Sequence, residues 1–94
     1  MNRDAYLEKF KAQLDEWNAE LDKLEAQARG ANADMKIKYD EQIAKLRERR
    51  DEAREKIAEL QSASESAWES LKHGAEEAWS RFKDALIAAK AKFE

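Results

Sequence analysis

The sequence predicts an all-α fold without β structure: three long antiparallel helices in a coiled-coil-like bundle, or a helical hairpin plus a C-terminal helix. Three observations predict it. Asp, Glu, Lys and Arg make up 41% of the 94 residues, there is no proline, and glycine occurs only as Gly30 and Gly74. Valine and threonine are absent, which removes residues that favour strands, and clusters of turn-forming residues are almost missing. Apolar residues recur at alternating steps of three and four, the period of a helix seam. A chain of this length has room for one domain, residues 1–94.

The first helix is expected over residues 2–29. Leu7, Phe10, Leu14, Trp17, Leu21, Leu24 and Ala28 follow one another at 3-4-3-4-3-4 spacing. This heptad pattern puts every one of them on a single line along the helix. Charged or amide residues such as Glu8, Lys9, Gln13, Glu16 and Glu20 fill the intervals. So narrow a stripe suits one close neighbour helix better than a broad core. Gly30 can adopt the left-handed conformation that closes a helix, and Asn32 can cap the next. If Gly30 does not turn the chain, the first two segments form one rod of nearly 60 residues, half of whose seam needs a second copy.

The second helix is expected over 32–61, with Met35, Tyr39, Ile43, Leu46, Ala53, Ile57 and Leu60 on its seam. The heptad slips at Met35-Tyr39-Ile43, where both steps are four. Arg50 occupies a seam position. Its stem can cover apolar surface while its head reaches water, and the sharper alternative is a register device that requires an acidic mate. Exposed-face pairs Glu41–Lys45, Glu52–Lys56 and Glu77–Arg81 have the spacing that supports helices.

Gln61-Ser62-Ala63-Ser64-Glu65-Ser66 marks the second break, and Ser62…Glu65 and Ser66…Glu69 both have capping-box spacing. The third helix, 65–93, carries Trp68, Leu71, Ala75, Trp79, Phe82, Leu86, Ala89 and Phe93. Ala67-Trp68 and Ala78-Trp79 stand eleven residues apart, a repeat that nearly matches a straight helix. Gly74 falls inside this pattern and weakens the helix without ending it. Three segments of similar length joined by short connections are expected to fold back on one another. The burial open to one copy is marginal, so self-association or a partner helix is expected to complete it.

Chemistry is sparse. Without cysteine there is no thiol nucleophile and no Cys-type metal centre, and isolated glycines make no phosphate loop. The one histidine, His73, lies four residues from both Glu69 and Glu77. That spacing could hold a divalent metal, yet an exposed histidine among carboxylates is the better reading. No catalytic residue, cofactor, metal or small-molecule substrate is therefore expected. Net charge is −3 with both signs interspersed. Even Arg47-Glu48-Arg49-Arg50 runs straight into Asp51 and Glu52, so no nucleic-acid partner is expected.

The opening Met1-Asn2-Arg3-Asp4-Ala5-Tyr6 lacks the pattern of a secretory signal. Ala85-Leu86-Ile87-Ala88-Ala89 is too short an apolar run to span a bilayer. A cytoplasmic protein is expected. Two roles compete. The first is a non-enzymatic structural or interaction protein, self-assembling or holding a helical protein partner through its seams. The second is a peripheral membrane binder that lays residues 65–93 on lipid, with Trp68, Leu71, Trp79, Phe82, Leu86 and Phe93 inserted.

The run from Tyr6 to Ala26, with Leu14-Asp15-Glu16-Trp17-Asn18-Ala19-Glu20 at its centre, resembles a family of small bacterial coiled-coil proteins labelled as stress-response proteins. Ser66-Ala67-Trp68-Glu69-Ser70-Leu71-Lys72 with Ala78-Trp79 extends the likeness over most of the chain. The resemblance implies a cytoplasmic helical protein active under stress, with no catalytic residue to carry over.

Overall fold

The computed structural model describes residues 3–93, which form α1 (Arg3–Arg29), α2 (Ala33–Gln61) and α3 (Glu65–Phe93). Residue 2, the expected start of the first helix, lies outside the described residues. There is no strand among the described residues. Two short turns reverse the chain, so α2 runs antiparallel to both neighbours and α1 and α3 run parallel. The bundle measures 51 × 18 × 18 Å, about one helix length by two helix diameters.

The first turn forms where the sequence places it, but by a different device. No described residue has positive φ, glycine included. Instead, the Gly30 and Ala31 amides donate to the carbonyls of Gln27 and Ala28, both at 3.2 Å, a tightened last turn that satisfies the free carbonyls of α1. Asn32 then leaves the helical region through ψ (φ −69°, ψ 169°), and its Oδ1 accepts from the Met35 amide at 3.0 Å. Asn32 is thus the cap and α2 begins one residue later.

At the second turn neither expected capping box forms. Ser62 is the C-cap of α2. Ser64 caps α3, its Oγ accepting from the Ala67 amide at 3.3 Å. The third position after this cap is therefore Ala67, which has no side chain to reach back. The exposed ion pairs also differ from the expected set: Glu52 pairs with Arg49 and Glu59 with Lys56, both at 3.4 Å.

The seams close on one another inside a single chain. Leu7, Phe10, Leu14, Leu21 and Leu24 of α1 are buried with Tyr39, Ile43, Leu46, Ile57 and Leu60 of α2 and Trp68, Phe82 and Leu86 of α3. Trp17, Met35, Leu71, Trp79 and Phe93 are half-buried against this core. The heptad stripe expected to meet a close neighbour helix is thus covered by the chain's own α2 and α3. Small residues join it: Ala28, Ala53, Ala75, Ala78 and Ala89 are all buried. Within the Ala78-Trp79 repeat, the alanine faces fully inward and the tryptophan only partly.

The packing is uneven. The α2 backbone lies close along both neighbours, whereas α1 and α3 approach each other closely at few places. Gly74 faces α2: a Cβ added there would meet the Lys56 side chain only at 4.0 Å, ordinary contact distance. Gly74→Ala is therefore expected to raise stability by up to about 1 kcal/mol, or roughly 4–8 °C in Tm for a domain of this size. Leu46→Ala, at a fully enclosed site, should lower stability by about 2–5 kcal/mol. Thermal unfolding followed by circular dichroism reads both.

Candidate functional site

Between α1 and α3 the gap is filled by rings. Tyr6 meets Phe10 edge-on at 5.1 Å and Trp68 at 5.9 Å between centroids. Further along, Trp79 meets Phe10 at 6.0 Å and Trp17 at 5.3 Å, and Phe82 closes the ladder against Trp17 at 6.5 Å. Most of these contacts are edge-to-face, the arrangement that ring quadrupoles favour by about 0.5–1.5 kcal/mol per pair. Six rings from two parallel helices hold the backbones apart, which explains the sparse close approach of α1 and α3.

Polar clamps hold both ends of this seam. At one end the Arg3 guanidinium lies 4.1 Å from the Trp68 ring centre, and its Nη2 donates to the Ala63 carbonyl at 2.7 Å. Beside it the Tyr6 hydroxyl donates to Glu76 Oε1 at 2.6 Å, and Lys72 Nζ stands 5.0 Å from the Tyr6 ring centre. At the other end Lys90 pairs with Glu20 at 3.2 Å, and Phe93 stacks on Tyr39 of α2 at 3.9 Å. The Lys90 and Lys23 ammonium groups bonded to Glu20 hold its carboxyl below the usual carboxylate range.

Between Trp17 and the Glu20–Lys90 clamp the seam is partly open. Glu16, Trp17, Glu20, Leu86, Ile87 and Lys90 line a recess of about 180 Å³, and Ile87 on its edge is 51% exposed. A half-open aromatic floor with an aliphatic edge and a mixed-charge rim can receive an apolar side chain from another helix. Ile37 is also exposed, at 61%, but it stands alone on α2, as single surface aliphatics commonly do.

Other sequence-predicted positions fall elsewhere. Arg50 is half-buried at the α1–α2 seam and reaches an amide: Nη1 donates to Asn18 Oδ1 of α1 at 3.1 Å, while Nε reaches Asp51 at 3.2 Å. The mate across the seam is therefore neutral, and the neighbouring carboxylate comes from its own helix. His73 is exposed, with Nε2 3.4 Å from Glu77 Oε1. Among the described residues no three His, Asp or Glu side chains converge on a point that could hold a metal ion.

The seam pattern alone missed Arg3, Tyr6, Lys72, Glu76 and Ile87, because these flank the heptad stripe. Tyr6 at four residues before Phe10, in line with it on one helix face, was the available signal for the first of them. Burial, then the hydrogen bond and negative charge of Glu76, push the Tyr6 phenol above its ordinary value of 10.0. A raised folded-state value means that Tyr6 contributes stability below pH 10 and loses it as pH rises beyond that. Tyr6→Phe should cost about 1 kcal/mol at neutral pH, yet lose less helicity than the parent chain in a titration above pH 10. No family model, curated protein or solved structure matches this chain.

Proposed function

We propose that the protein is a non-enzymatic helical interaction module of the cytoplasm, a structural or partner-binding element of the stress-response kind its sequence resembles. The observation that carries this reading is the half-open aromatic seam between α1 and α3, whose floor is Trp17 and whose edge is Ile87. It is a place where large side chains of the bundle are incompletely covered by the bundle itself, and a further helix laid there adds the missing cover.

The competing membrane reading needs the same residues twice. Trp68, Phe82 and Leu86, which would enter lipid, are buried in the core, so the bundle must open before they can insert. Among the described residues no helix is long and apolar enough to cross a membrane. Tryptophan emission and helicity measured with and without phosphatidylglycerol vesicles separate the two. Full helicity in buffer and unchanged emission with vesicles support the interaction module; a blue shift and helicity gained only on vesicles overturn it.

A photo-crosslinking side chain at position 87, compared in cells with one at exposed Glu48 of α2, maps the surface. A discrete protein adduct from position 87 alone, with a second copy or another chain, is the expected outcome. The same adducts from both positions, or none from 87, count against it.

A further inference from the structure

We propose that the α1–α2 turn is a hinge through which two copies of this chain exchange α1, giving a domain-swapped dimer in which α1 and α2 form one continuous helix. The backbone of the turn holds no left-handed residue that a continuous helix would have to undo. Gly30 and Ala31 have no positive φ, and their amides still bond to carbonyls three residues back. Asn32 keeps a helical φ of −69° and departs through ψ. Rotation of that ψ into the helical range is one change that hairpin-to-rod conversion requires.

The apolar stripe stays in phase through the turn. Leu21, Leu24, Ala28, Ala31 and Met35 are spaced three, four, three and four. A hairpin has no use for this continuity, since each helix meets the core by its own face. In a straight helix, however, it produces one uninterrupted seam from Leu7 to Met35. Ala31 and Met35 are already half-buried against the core. Two rods crossing antiparallel at the hinge would meet through Ala28, Ala31 and Met35, where alanines allow close approach.

The seat for the incoming helix is the one α1 now occupies. Asn18 on Arg50, Glu25 on Arg47 at 2.9 Å and Glu20 on Lys90 would be remade with the second copy's α1, and two-fold symmetry closes the assembly with no end left open. The second turn has the same three-back amide bonds, Ser62 to Glu59 and Ala63 to Leu60, but it differs in its serines and in being held from α1. Ser64 caps it and Arg3 is bonded to its Ala63 carbonyl, and serines favour caps and turns over helix interiors.

The proposal rests on reading the seams as helix-pairing surfaces, and substitutions at the hinge test it on the full chain. Gly30→Ala with Asn32→Ala removes the cap and favours the continuous helix. It should raise the dimer fraction at least tenfold over the parent chain, by light scattering after size exclusion, with helicity retained. Ala33→Pro should act oppositely. Proline suits the first position of α2, and the φ and ψ of Asn32 are those a residue before proline prefers, but proline breaks a continuous helix. Added to the double variant, it should restore the monomer. A Gly-Ser-Gly insertion after Gly30 makes the same test without proline.

A double variant that stays monomeric, or a dimer that survives both hinge-blocking changes, overturns the proposal. If the double variant dimerises as stated while position 87 gives no adduct, the α1–α3 docking reading fails alone.

Discussion

Large rings and small methyls cannot share one helix interface, and in this bundle that mismatch governs the rest. Helix axes pack about 8–10 Å apart according to the side chains between them. Alanines and Gly74 let α2 and α3 come close; Tyr6, Phe10, Trp17, Trp68, Trp79 and Phe82 keep α1 and α3 apart. A three-helix bundle with unequal sides cannot cover every ring, and an uncovered part falls on the wide side, next to the Glu20–Lys90 clamp. The recess beside Trp17 and Ile87 is thus a result of side-chain volume. The clamps at either end follow too, because backbones that seldom meet must be joined through long side chains such as Arg3, Lys72 and Lys90.

Much of this was legible in the sequence, since periodicity maps directly onto burial. The heptad positions of α1 and α2 fall on the core, and the breaks at Gly30 and the serine cluster are where the chain reverses. What periodicity does not contain is which seam faces which. Leu7 through Ala28 read as a stripe for one neighbour helix, and a narrow seam looks the same whether that neighbour is the same chain or another. Cap identity was out of reach for a related reason. Ser62, Ser64 and Ser66 offer equivalent hydroxyls, and the choice of Ser64 depends on where the chain must turn to bring Trp68 over Tyr6.

The flank residues were less visible still. Arg3, Tyr6, Glu76 and Ile87 lie off the heptad line, and their pairing across some 60–70 residues of sequence is set by the parallel alignment of α1 and α3. Arg50 shows the limit from the other side. A charged residue on a seam suggests an opposite charge across it, yet the side chain opposite is the Asn18 amide. An amide satisfies a guanidinium donor without burying a second charge and its desolvation cost.

None of the described residues that make up the core is polar or charged. Buried polar groups are among the means by which helical assemblies forbid slippage, since a misaligned one is left unsatisfied. With an interior of hydrocarbon and rings alone, neighbouring alignments differ by shape and by contacts at the solvent edge, where added salt weakens charge pairing. Ionic strength then becomes a control on how sharply this protein tells its own helices from similar ones. In dilute salt the edges choose; in concentrated salt the choice is left to how rings and methyls interlock.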